Sequence, residues 1–158
     1  MVDGELLNKI YLKLIEKNYK IATAESCTGV LIGHNLTNMS GSSNFFDRGI
    51  ISYSNESKID LLDVPSDLIQ KYGAVSEEVA IAMAEGLRKK YRVDIGLSTT
   101  GIAGPTGGNK EKPVGLVFIG ISLKDKSYVK KFIFKGDRLN IKELTCNAAL
   151  NILFDALI

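Results

Sequence analysis

The amino-acid sequence predicts an α/β domain, a layered α/β/α arrangement in which helices flank a mixed β-sheet, with residues 1–158 forming a single unit. Short β-branched runs alternate with longer stretches of helical period. Two apolar runs, Val114–Leu123 and Tyr128–Phe134, follow one another across a short Lys124-Asp-Lys126 turn. No repeat, linker or low-complexity segment interrupts this order.

Leu6, Leu7, Ile10, Tyr11 and Leu14 recur at helical spacing among lysines and glutamates, which predicts an amphipathic helix over 4–17 that stops at Asn18. Lys20–Ala24 reads as a short buried strand, and Glu25–Gly29 as a polar turn leading into a helix that ends near Asn38. Strand, polar turn and helix in this order point free backbone N–H groups at an anion. After the Ser40–Ser43 turn, Arg48–Tyr53 reads as a strand and Asn55–Leu62 as a short helix. Pro65 opens another helix, which Gly73 closes. Ser76 caps the next one: Glu77 and Glu78 suit its N-terminus, and Arg88, Lys89 and Lys90 its C-terminus. Val79, Ala80, Met83, Ala84 and Leu87 form its apolar face, and Val75 is placed to staple onto Ala80.

Val93–Thr100 is a strand running into Gly101–Gly108, a loop with four glycines. The unbroken apolar run Val114–Leu123 suits a strand covered on both faces, whereas Tyr128–Phe134 alternates more and belongs nearer an edge. Asp137 caps the last helix, in which Leu144, Ala148 and Ile152 form the expected buried row, widened by Leu150, Leu153 and Leu157.

Composition excludes several classes of function. Hydrophobic residues make up 45% and charged residues 24% of the chain, the profile of a soluble globular protein. No apolar run is long enough to span a membrane and no secretory leader pattern opens the chain, so a cytoplasmic setting without a membrane partner is the expectation. Scattered lysines and a net charge of only +2 speak against direct nucleic-acid binding. Cys27 and Cys146 fit a reducing compartment, and two cysteines with one histidine are too few for structural zinc. No metal or cofactor is expected, and edge strands with an apolar last helix leave room for a homodimer.

The chemistry-bearing groups gather in the turns Glu25–Gly29, Gly101–Gly108 and Gly136–Arg138. Loops at strand ends are where open α/β sheets bind ligands, and the Arg138 guanidinium can grip phosphate through two parallel hydrogen bonds. Together they describe a site for a phosphorylated small molecule. Read blandly, Ser26, Thr28 and Asp137 are caps and the glycines only satisfy turn geometry. Cys27 and His34, if on one helix, are separated by roughly 10 Å of axial rise, too far to pair. With histidine set aside, a serine nucleophile needs another base, and lysine is the usual substitute. Ser43 and Lys58 stand 15 positions apart across a strand-like piece that the pattern allows to bring both to one sheet edge. Equally, they read as a turn serine beside a surface lysine.

Seven motifs, Glu25-Ser-Cys-Thr-Gly29, Gly41-Ser-Ser43, Tyr53-Ser-Asn-Glu-Ser-Lys58, Gly73-Ala-Val-Ser76, Thr100-Gly-Ile-Ala-Gly-Pro105, Lys112-Pro-Val-Gly115 and Gly136-Asp-Arg138, resemble in this order the carboxy-terminal domain of the competence/damage-inducible CinA family. Its stand-alone members are nicotinamide-mononucleotide deamidases. The resemblance implies an amidohydrolase that converts nicotinamide mononucleotide to nicotinate mononucleotide and ammonia through a serine–lysine dyad. By that resemblance Ser43 is the nucleophile and Lys58 the base, while Tyr53 and Asn55 line the site. Backbone N–H groups near Ser42 and Ser43 would stabilise the oxyanion. Ser26, Thr28 and Gly29 in the first turn, Thr100, Gly101 and Gly104 in the glycine loop, and Arg138 are candidates for holding the substrate. Val30 stands where the family usually has a second glycine, and Ser57 where it usually has alanine. The alternatives are a non-catalytic nucleotide-binding or interaction module linked to competence or DNA damage, and an amidase for another small amide.

Overall fold

The computed structural model describes residues 2–158. Its elements follow the expected order: α1 (Gly4–Lys17), β1 (Ile21–Glu25), α2 (Leu31–Thr37), β2 (Phe46–Ile51), α3 (Asn55–Leu62), α4 (Ser66–Tyr72), α5 (Glu77–Tyr91), β3 (Ile95–Gly101), β4 (Leu116–Ser122), β5 (Ser127–Ile133) and α6 (Arg138–Leu157). A single 3₁₀ turn, Ser42–Asn44, precedes β2 and has no counterpart in the sequence pattern.

Local chemistry sets the helix ends. Asp3, Ser54, Ser76 and Asp137 each accept a hydrogen bond from an N–H group in the first turn of the helix they precede. Asn18 ends α1 in the left-handed conformation at φ 53°, and the Gly73 N–H donates to Ile69 O at the end of α4.

The five strands lie in the order β2-β1-β3-β4-β5. β1 pairs in parallel with both β2 and β3, whereas β3–β4 and β4–β5 are antiparallel, so the sheet is mixed. Helices α1, α2 and α6 cover one face, around Ile10, Leu14, Ile21, Ile32 and Leu153. Helices α3, α4 and α5 cover the other, where Ala22, Ala24, Leu62, Met83 and Leu87 meet. Helix α5 lies close on β3 and β4 because two strand positions lack a side chain. A Cβ on Gly96 would stand 2.2 Å from Ala84 O, and one on Gly120 2.5 Å from Ala80 O.

β4 is buried along its whole length, and β5 forms the half-exposed edge that its alternation implied. In α6 the expected Ile152, Leu150, Leu153 and Leu157 are buried, whereas Leu144 is 39% exposed and Ala148 only half-buried, and Ile141, Thr145 and Ala149 face inward instead. The helix must fill the space between α1 and the sheet at once, and these contacts bring Ile141, Thr145 and Ala149 inward in its first turns, in place of the expected Leu144. No helix among the described residues is long and apolar enough to cross a membrane.

Candidate active site

The order β2-β1-β3 makes the chain depart from β1 toward opposite sides of the sheet, β1 to β2 across one face and β2 to β3 across the other. A crevice opens at such a switch point, beyond the carboxyl ends of the parallel strands. The turn after β1 and the glycine loop after β3 stand on either side of it.

Ser26 is the first residue beyond β1, and its N–H donates to Thr99 O at 3.1 Å, which ties it to the end of β3. Lys58 comes from the first turn of α3, a helix started by the Ser54 cap. Side chains in a helix lean toward its N-terminus. The Lys58 amine therefore runs back under the cap and donates to Ser52 O at 2.7 Å, Tyr53 O at 3.2 Å and Ser26 Oγ at 3.3 Å. Lys58 is 1% exposed, and no carboxylate pairs with it among the described residues. Burial pushes its amine below the ordinary lysine value, opposed in part by its interaction with the Cys27 sulfur.

An open cavity of about 260 Å³ covers this pair. Ser26, Cys27 and Lys58 line it together with Ala74 and Val75 from the α4–α5 connection, the Thr100–Gly104 segment, Thr106 and Gly107. Tyr53, 61% exposed, and Arg138 stand at its mouth. The Arg138 guanidinium donates to Gly104 O at 2.7 Å and to Tyr53 Oη at 3.0 Å, joining the glycine loop to the segment after β2.

The expected meeting of Ser43 with Lys58 does not form. Ser43 lies in the 3₁₀ turn before β2, where its carbonyl accepts from the Lys20 amine at 3.3 Å, and Lys58 lies beyond the far end of that strand. β2 has six residues, and a strand advances about 3.3 Å per residue, so the two residues stand roughly 20 Å apart at opposite ends of this edge strand. Ser42 shares that distant turn and does not line the cavity.

The substrate-binding expectations divide. Ser26, Tyr53, Lys58, Thr100, Gly101, Gly104 and Arg138 all line the cavity. Thr28 is 1% exposed and serves the turn instead: its hydroxyl donates to Glu25 Oε2 at 2.7 Å and lies 2.9 Å from Thr99 Oγ1. Gly29 faces a separate groove beside α2 and β2, and Asn55 starts α3 on the exposed surface. The α2 N-terminus is not open to an anion, because the protein supplies its own. Glu25, 2% exposed, accepts from Ile32 N–H at 3.0 Å and Gly33 N–H at 2.8 Å.

Cys27, Ala74, Val75, Ile102, Ala103, Thr106 and Gly107 complete the lining. Burial raises the Cys27 thiol to about 12, so it remains protonated at neutral pH and offers no thiolate. His34 is exposed, within 3.3 Å of Asn38 Nδ2, and outside the cavity. One signal in the sequence distinguishes the two serines: Ser26 follows its strand, whereas Ser43 precedes one, and only the carboxyl ends of parallel strands open onto the crevice.

The CinA C-terminal domain model matches residues 3–157. The chain belongs to the CinA C-terminal domain family. It is 54% identical over 153 residues to a competence-damage inducible protein of Caldicellulosiruptor bescii, and 54% identical over 152 residues to one of Clostridium tetani. Each match covers 96% of this chain, and the chain spans 37% of the length of either relative. Among solved structures, the competence or damage-inducible protein of Enterobacter asburiae superposes with a TM-score of 0.95 at 30% identity, covering 100% of this chain and 99% of that one. The competence/damage inducible protein of Agrobacterium tumefaciens does so with a TM-score of 0.94 at 36% identity, covering 99% and 98%. These CinA structures have the same α/β architecture.

Proposed function

We propose that the protein is an amidohydrolase of pyridine mononucleotides, converting nicotinamide mononucleotide to nicotinate mononucleotide and ammonia, with Ser26 as nucleophile and Lys58 as base. The observation that carries this reading is the 3.3 Å approach of a buried amine lacking a carboxylate partner to the Ser26 hydroxyl at the foot of an open cavity. The choice of substrate is supported by the motif resemblance to stand-alone CinA C-terminal domains.

A neutral Lys58 keeps its two N–H bonds directed at the Ser52 and Tyr53 carbonyls and turns its lone pair toward Ser26. As Ser26 Oγ forms a bond to the carboxamide carbon, its proton passes to the Lys58 amine. The Cys27 and Thr28 N–H groups donate to no backbone oxygen in the turn and can receive the developing oxyanion. Collapse breaks the C–N bond, Lys58 returns the proton to the departing nitrogen, and ammonia leaves an ester on Ser26. Water then adds to the ester with Lys58 taking one of its protons, which passes to Ser26 Oγ as the acyl–oxygen bond breaks, and the carboxylic acid released gives its own proton to solvent. Lys58 can act in this way only because burial favours its neutral form. The ring carrying the carboxamide has room against Ala74, Val75 and the glycine loop, and Arg138 at the mouth suits the phosphate.

The test is ammonia release from nicotinamide mononucleotide by the purified chain. Ser26→Ala is expected to lower turnover about 10³-fold and Ser43→Ala to leave it within about twofold. Loss with Ser43→Ala and retention with Ser26→Ala would reverse the assignment. Ligand binding without ammonia from the parent chain would favour the non-catalytic binding module.

A further inference from the structure

We propose that Lys142 is a specificity-determining residue, which together with Arg138 grips the phosphate monoester of the substrate; this rests on the mononucleotide reading above. α6 starts at Arg138, so Lys142 stands one turn further along the same helix face. Its amine lies over the turn that carries Ser26. A Cβ built on Gly29 would stand 3.4 Å from Lys142 Nζ and 4.0 Å from Cε, and the Gly29 N–H donates to Ser26 O at 3.1 Å.

Lys142 is half-buried and makes no ion pair among the described residues. Two carboxylates of the neighbouring turns are engaged elsewhere. Asp137 accepts from the Asn140 N–H at 2.9 Å as the α6 cap, and Glu25 is committed to Thr28 and the first turn of α2. Arg138 likewise meets only neutral acceptors, the Gly104 carbonyl and the Tyr53 hydroxyl. Two cations one helical turn apart repel, and a bound anion relieves that repulsion. A phosphate monoester carries close to two negative charges at neutral pH and presents three acceptor oxygens. It matches a guanidinium fork at the cavity mouth together with a point charge above the nucleophile's turn.

Lys142→Gln is the test, assayed on nicotinamide mononucleotide and on its phosphate-free riboside. The expected result is a KM about tenfold higher for the mononucleotide, the size of one charge-assisted contact, with kcat within about twofold and kcat/KM for the riboside unchanged. Lys142→Arg is expected to keep the parent's preference. An unchanged KM for the mononucleotide, or an equal loss on both substrates, overturns the assignment. If the parent chain releases no ammonia, the deamidase reading fails by that observation alone, and calorimetric binding of the same two compounds decides Lys142 separately. There, a preference for the phosphorylated compound that shrinks about tenfold in Lys142→Gln supports the assignment. An equal preference in both proteins, or binding of neither compound, overturns it.

Discussion

Replacing Lys58 by methionine isolates the property on which the proposed chemistry depends. Methionine keeps most of the side-chain volume and removes the amine. Burial lowers the Lys58 value below the 10.5 of a free lysine, so between the folded-state value and 10.5 the unfolded chain binds more protons than the folded one. The parent protein therefore gains stability as pH rises through that window and loses it as pH falls toward the folded-state value; below it, the cost of a buried charge is fully present. The slope reaches about 1.4 kcal/mol per pH unit where the amine is charged in the unfolded chain and neutral in the folded one. The variant lacks this dependence. It also leaves the Ser52 carbonyl, which accepts from the amine at 2.7 Å, without that partner, a cost of about 1–3 kcal/mol that does not change with pH. Urea unfolding of both proteins from pH 6 to pH 10 separates the two effects. Cys27 and Cys146, both raised to about 12, remain in each protein, so their titration largely cancels in the difference. The stability of the parent minus that of Lys58→Met should rise with pH. A difference flat to within about 0.5 kcal/mol over that range would show an amine that stays charged in the fold, and would refute the argument for Lys58 as a base.

Two further outcomes follow from the packing. Glu25→Gln replaces one carboxylate oxygen by an amide donor among the Thr28 hydroxyl and the Ile32 and Gly33 N–H groups, and should cost about 1–3 kcal/mol in urea unfolding while weakening the turn that holds Ser26. Gly86→Ala should prevent stable folding, because the new Cβ would stand 1.8 Å from Leu62 O where α3 meets α5; Gly4→Ala, with nothing within 4 Å, should be neutral or slightly stabilising by the same assay.

Much of the fold is legible in the chain because it rests on local physics. The apolar spacing of Leu7, Ile10 and Leu14, the Ser76 and Asp137 caps, the left-handed stop at Asn18 and the continuous apolar run of β4 each act within a few residues. The α6 face was read well at its end, where Leu150, Ile152, Leu153 and Leu157 are buried, and less well at Leu144, because α1 and the sheet choose the inward side of the first turns. At the site, sequence picked out Lys58, Tyr53, Arg138 and the glycine loop. It set Ser43 beside Lys58, which the structure keeps apart. Between Ser43 and Lys58 the chain runs straight, and a straight strand carries its two ends apart. Ser26 and Lys58 are 32 positions apart, and nothing local joins them. Parallel pairing of β1 with β2 sets Glu25 beside Ile51, so the residues just beyond both strands emerge together. The α3 cap then turns the lysine back beneath them. The chain by itself determined the elements, most of their ends and the lysine proposed as a base. The strand order alone decided which hydroxyl that amine meets, because parallel neighbours bring their carboxyl ends to one edge however far apart they lie in sequence.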